Sequence, residues 1–275
     1  MGFQYYQVSA NTRSIKGSQL FGIQLTDNTS TKVHTIASEG EQKCLALASI
    51  FAELNSDARK SCVVFDDPVN SLDHKWRAKV AFRLVDESIK RQTIVFTHDI
   101  VFLKLRLEAS EMTAGAKVDI KSLDRGRKAT GIVRTNPPWD ALTTSKRIKY
   151  LNVLFRGLKK AEEEGTESEY NNLAGSFYGY LREAWERLVE EKLLNKVVER
   201  FGRAIQTQRL KRIVDISDKD IEQIDAAMGK CSAIFKGHDT APGVYENMPP
   251  LAEILKDIEN IKKFEQELSN MRKRS

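Results

Sequence analysis

The stretch Cys62–Arg77, CVVFDDPVNSLDHKWR, constrains the fold more than any other part of the 275-residue sequence. An apolar run, Ser61 to Phe65, ends abruptly in two adjacent carboxylates, Asp66 and Asp67, and a proline then stops the strand. A short run bounded in this way reads as a buried strand. Thr93–Thr97, TIVFT, is a second such run. Between them His74–Arg91 carries Trp76, Val80, Leu84 and Glu87 along one helical stripe. Strand, helix, strand in this order predicts a parallel pair with a right-handed crossover. Open parallel sheets bind ligands beyond the carboxyl ends of their strands, which is where Asp66 and Asp67 are delivered.

The surrounding chain has enough apolar residues, 41%, to bury a full core, and 30% of its residues are charged. No run of about 18 apolar residues occurs, so no membrane-spanning helix is expected. MGFQYYQVSANTRS lacks the basic start and apolar core of a signal peptide. Cys44, Cys62 and Cys231 lie far apart, with neither metal-ligand spacing nor a disulfide framework. A reduced, cytoplasmic protein is the simplest expectation. The net charge of +6 permits a nucleic-acid partner without requiring one.

Phe3 to Leu25 alternates aromatic and β-branched residues and reads as edge strands. From Ser38 the spacing becomes helical, with Cys44, Leu47, Ala48, Phe51 and Leu54 on one face. Val118 to Val133 reads as a hairpin around DRGRKATG. Asn136–Asp140, NPPWD, breaks the chain with two prolines. Everything beyond it reads as helix: Leu181 to Gln208 as a long stretch with a candidate break at Gly202, Asp220 to Met228, and about Leu251 to Arg272, with an acidic loop or helix end at Ala161–Glu169 and a loop at Lys236–Pro250. Two domains are expected, 1–136 and 137–275.

Four short elements carry chemistry together. Ser38 and Glu41 fit a capping box at a helix start, and Gly40 lets backbone N–H groups approach an anion there. Adjacent strand residues point to opposite sides, so Asp66 can hold Mg²⁺ through water while Asp67 faces an attacking water. Asn70–Asp73, NSLD, follows, and His98 in VFTHD lies just past the second strand, within reach of a γ-phosphate. Each element has a plain structural reading as a cap, a turn, a helix start or a hydrogen-bonding histidine.

Their order and spacing over residues 34–105 resemble the second half of an ATPase of the ABC type. Ala37–Glu41 resembles the ABC signature, Cys62–Asp67 the Walker B strand, Ser71–Asp73 the D-loop and His98 the switch histidine. The wording SEGEQ…LALA…FAEL…VVFDDPVNSLDH…VFTHD is closest to the SMC-like and RecF-like ATPases of DNA repair and phage defence. Within them it is similar to the branch holding the anticodon nucleases PrrC and RloC. The resemblance implies ATP and Mg²⁺, with Asp66 holding the metal, Asp67 acting on water and His98 on the γ-phosphate. Ser38, Gly40, Glu41 and Asp73 would contact nucleotide. Two departures stand out: Glu39 replaces the first signature glycine, and Asp67 stands where many such enzymes have glutamate.

No G-x-x-x-x-G-K-[ST] phosphate loop exists in the sequence. In ABC ATPases two heads stack head to tail, and the signature of one covers the nucleotide held by the other. The resemblance therefore implies the C-terminal half of a head: part of an α/β P-loop lobe, a parallel sheet with flanking helices, followed by an α-helical domain. Its expected partners are a Walker A-bearing N-terminal half or second chain, a homodimer of heads, and tRNA or DNA, with no membrane.

In the C-terminal part, Arg200, Arg203, Arg209, Lys211 and Arg212 would form a basic helix face able to follow a nucleic-acid backbone. Arg182 and Glu186, one turn apart, with His238 downstream, match in type and order the cutting residues of the anticodon nucleases. Arg and Glu at that spacing also make an ordinary helix-surface pair. Three functions follow: a nucleotide-hydrolysing half-head in a nucleic-acid-directed defence or repair assembly, an ATP-gated RNase, or a non-catalytic scaffold recruiting an effector.

Overall fold

The computed structural model describes residues 5–15, 18–27, 32–128, 130–200, 205–235 and 248–274. The chain divides into two compact units, Met1–Ile120 and Lys121–Ser275. This division places the hairpin after Val118 with the helical segment rather than before it.

The first unit opens with an antiparallel hairpin, β1 (Tyr6–Ile15) and β2 (Ser18–Leu25), with an irregular register between Ala10 and Ser14. A single turn of helix, α1 (Val33–Ile36), precedes α2 (Glu39–Ser56). Cys44, Leu47 and Phe51 of α2 are buried as their spacing predicts, whereas Ala48 faces solvent at the margin of that stripe. β3 (Val63–Asp66) leads through α3 (His74–Lys90) to β4 (Thr93–Phe96), and α4 (Ile100–Met112) follows. β3 and β4 pair in parallel, Val63 opposite Thr93 through Asp66 opposite Phe96.

Phe65, Val69, Leu72, Ala78, Ala81, Leu84, Phe102 and Leu105 close the core against the α2 stripe. Glu87, fully buried on α3, is neutralised by Arg91 at 2.8 Å and Arg83 at 2.9 Å. Arg91 also donates to the carbonyls of Leu54 and Arg59, so α3 is tied to the end of α2. Among the described residues the expected lobe with a parallel sheet is present only as this strand pair. Val64, Ile94 and Phe96 lie exposed on its outer face. The other described strands are antiparallel and form separate two-stranded sheets, because too few residues join each to its neighbour for a crossover helix.

The second unit begins with the hairpin β5 (Ser122–Asp124) and β6 (Ile132–Arg134). After Pro137 and Pro138 the described residues form the α-helices α5 (Thr144–Glu164), α6 (Glu167–Leu188), α7 (Asp218–Ile234) and α8 (Leu251–Arg274). The acidic linker is a sharp corner, with Gly165 ending α5 and Thr166 capping α6 through a box with Glu169. α6 is the central element. Phe177, Tyr178, Leu181, Ala184, Trp185 and Leu188 are buried along it against Ile254, Ile258, Ile261 and Phe264 of α8.

The long helix expected over Leu181–Gln208 is corrected. α6 ends at Leu188 in a π-type turn, Val189–Leu193, and Asn195 and Lys196 then take left-handed backbone conformations (φ 45° and 56°). Residues in that region stop an α-helix, because the next N–H no longer meets the carbonyl four residues back. Among the described residues no helix is long and apolar enough to cross a membrane.

Candidate active site

The carboxyl ends of β3 and β4 gather the acids and the histidine. Asp66 closes β3 with an exposed carboxylate that has no partner among the described residues. Asp67 leaves the strand: its N–H still donates to the Phe96 carbonyl at 3.0 Å, but its backbone turns left-handed at φ 39°. That turn swings its side chain to the loop after β4. There His98 Nδ1 lies 2.9 Å from one carboxylate oxygen, and the His98 N–H donates to the other at 3.3 Å. Desolvation at the strand end works to raise the Asp67 pKa. The hydrogen bonds and charge of His98, with a contribution from Thr97, outweigh it and hold the carboxyl below its usual range.

Side chains from three elements hold this turn. Lys43 Nζ, on α2, donates to the Asp67 carbonyl at 2.9 Å. Gly40 presses on the Ser71 carbonyl so closely that a Cβ built there would stand 2.7 Å from the oxygen. Arg77 donates to the Leu72 carbonyl at 2.8 Å and pairs with Asp99 at 2.6 Å. Asp99 in turn caps α4 by accepting from Val101 and Phe102. Ser71 itself sits at φ 64°. Non-glycine residues occupy this region only when their surroundings over-determine it.

The remaining nucleotide candidates have structural employment. Ser38 is exposed at the start of α2 and accepts from the Glu41 N–H, while Glu41 accepts from the Ser38 N–H at 2.9 Å and hydroxyl at 2.8 Å. Those bonds, the backbone one foremost, lower the Glu41 pKa, and the Tyr5 hydroxyl adds another at 3.0 Å. Asp73 caps α3 by accepting from the Trp76 N–H at 2.9 Å. Gly40 serves close packing against Ser71. Lys43, Arg77, Thr97 and Asp99 were not singled out from sequence. Only Asp99 carried a usable signal, an aspartate just before the apolar run IVFL.

Magnesium keeps several waters and takes one or two carboxylates together with substrate phosphates. A free, exposed Asp66 at the strand end fits that use. Among the described residues no group of three acidic, histidine or cysteine side chains is placed to cage a metal alone.

Among the described residues of 200–212, no α-helix carries the expected basic face. Arg200 lies in the turn region after the π-type turn, where it pairs with Glu186 and its N–H donates to Glu190. Arg209, Lys211 and Arg212 lie in a short 3-10 stretch, Thr207–Arg212. Arg203 and His238 lie outside the described residues. Arg182 Nε stands 3.6 Å from Glu186, which is the ordinary helix-surface pair, and Arg200 shares the same carboxylate.

Residues 7–104 match the model of a family described as "AAA domain, putative AbiEii toxin, Type IV TA system". The match runs from β1 into α4 and spans Ser38, Asp66, Asp67 and His98. It supports a P-loop ATPase-like family for this part of the chain. No curated protein and no solved structure matches the chain.

Proposed function

We propose that the first unit is the signature and Walker B half of an SMC-like ABC ATPase, completed by a phosphate-gripping segment or chain in a head-to-tail pair. The observation that carries this reading is the Asp67–His98 hydrogen bond beside a free Asp66, at the carboxyl edge of a parallel strand pair. Asp66 would hold Mg²⁺, which would supply charge neutralisation on the phosphate oxygens. Asp67 orients or deprotonates the attacking water, and its shorter side chain is brought forward by the left-handed turn at its own Cα. His98 holds that carboxylate ionised and pointed into the edge. The exposed start of α2 at Ser38 and Glu39 is the surface that meets the opposing head. The family match to an AAA domain supports the general class, and the missing phosphate loop motivates the partner.

The test is an ATP turnover assay on the purified chain and on the assembly isolated with its native partner. The chain alone is expected to show no turnover, and the assembly to lose it in Asp67→Asn with folding intact. An Asp67-dependent rate from the chain alone would overturn completion by a partner. Full turnover by Asp67→Asn in the assembly would remove the proposed role of Asp67.

A further inference from the structure

Among the described residues, the longest run of exposed cations unbroken by an acid lies on α5. α5 contains no acidic residue from Thr144 to Lys160. Its spacing places Lys146, Lys149, Val153, Arg156 and Lys160 along one stripe, all exposed. Lys160 and neighbouring Lys159 make only long, open contacts of 3.8 Å with Glu164 and Glu163. Lys146 and Lys149 have no ion-pair partner among the described residues, and Arg156 donates only to the Asn152 carbonyl of its own helix. From Lys146 to Lys160 the stripe runs about 21 Å at the α-helical rise. The acids near its start are engaged elsewhere: Glu183 accepts from the Trp139 indole N–H, and Glu265 accepts from Ser145 at 2.9 Å and pairs with Lys192 at 3.4 Å.

Two further features lie on the same face. Tyr150, exposed beside Lys146, is propped by Trp139 at 5.4 Å and Tyr180 at 5.6 Å between ring centroids. Arg147 stacks on Trp139 at 4.6 Å, so the aromatic group is held rigid from behind. Gly157 lies mid-helix on the stripe, and a Cβ built there would meet nothing within 4 Å. Nothing in the packing requires a glycine at a position where it weakens a helix, whereas a ligand lying close to the backbone would.

We propose that this face of α5 binds single-stranded nucleic acid, the cations tracking phosphates and Tyr150 stacking a base. Charge complementarity selects a polyanion, and a braced, exposed ring among the cations selects one with unpaired bases. A membrane surface would need several apolar side chains at the same level, and the stripe has only Val153. The site needs no bound nucleotide and stands apart from the ATPase reading.

The test is fluorescence anisotropy of the full chain with a 20-nucleotide single-stranded RNA, the same sequence as DNA, its duplex, and anionic phosphatidylserine vesicles, over a salt series. Single strands are expected to bind with a log–log salt slope of about −3, from phosphate contacts by Lys146, Lys149, Arg156 and Lys160 at about −0.7 each. Lys146→Glu, Lys149→Glu and Arg156→Glu together should abolish binding with an unchanged melting temperature. Tyr150→Ala should weaken it roughly five- to a hundred-fold without changing the slope. Tyr150→Phe should retain it, which separates loss of the stacking ring from disturbance of the cluster. Absent binding at low salt, an unaffected triple variant, or vesicles preferred over single strands would each overturn the proposal.

Discussion

Substituting alanine for glycine at two helix positions should shift stability in opposite directions. In Gly40→Ala the new Cβ stands 2.7 Å from the Ser71 carbonyl oxygen, inside the ~3.3 Å at which carbon and carbonyl oxygen ordinarily meet. The obstacle is backbone, held at φ 64° and flanked by the Lys43, Arg77 and His98 links, so it cannot yield like the end of a flexible side chain. Overpacking of this kind costs about 1–3 kcal/mol. Exchanging glycine for alanine in a helix returns at most about 1 kcal/mol, leaving a net loss of roughly 1 kcal/mol. Gly157→Ala meets nothing and should gain about 0.5–1 kcal/mol. The two variants thus differ by about 2 kcal/mol, roughly thirty-fold in an opening equilibrium. Hydrogen exchange by mass spectrometry reads each unit separately, through peptides of α2 and α3 for the first and of α5 and α6 for the second. Faster exchange in α2 and α3 of Gly40→Ala and slower exchange in α5 of Gly157→Ala are expected. Equal or greater protection in α2 of Gly40→Ala would refute the claim that this glycine exists for close packing on the Ser71 turn.

Two other perturbations test the first unit. Glu87→Gln leaves the buried Arg91 guanidinium without its counter-charge; carbonyls of Leu54 and Arg59 still accept from it, so the loss should fall near the lower end of about 3–5 kcal/mol in urea unfolding. For Asp67 the folded pKa lies below its unfolded value, so its contribution to stability is present above the unfolded value of about 3.9 and lost as pH falls through the folded one. The His98 backbone amide, followed by NMR, should therefore titrate with a midpoint below the ordinary carboxylate range, and Asp67→Asn should remove that step. A midpoint at or above the ordinary range would contradict the Asp67–His98 hydrogen bonds.

The strand–helix–strand core was legible because burial leaves a periodic imprint: the α3 stripe reads Val80, Leu84 and Glu87, and all three are buried. Glu87 shows how far that imprint reaches, since position alone placed a charge inside, while its partners Arg83 and Arg91 follow at helical spacing. The helix α4 was not read, because its apolar residues Ile100, Val101, Phe102, Leu103 and Leu105 nearly run together and blur the period. The end of α6 was misread because Glu190–Leu194 are all good helix formers. Only tertiary packing and two left-handed residues stop it. The basic cluster after it has no such imprint: counting cations in sequence says nothing about whether one face carries them. On α5 the same count becomes a surface, because the helix runs unbroken for 21 residues.

At the site, sequence spacing located the acids and the histidine, but not what fixes them. Lys43 and Gly40 act through the carbonyls of Asp67 and Ser71, and a backbone carbonyl has no sequence identity to recognise. Their consequence is mechanical. Two left-handed non-glycine residues within one turn cost on the order of 1–3 kcal/mol each unless the surroundings hold them. Here the holding groups come from α2, α3 and the loop after β4, so the turn cannot relax unless several links break together. The first turn of α2, which displays Ser38, is one of those anchors. A displacement of that turn by anything docking on it would therefore be transmitted through Gly40 and Lys43 to the backbone that aims the Asp67 carboxylate.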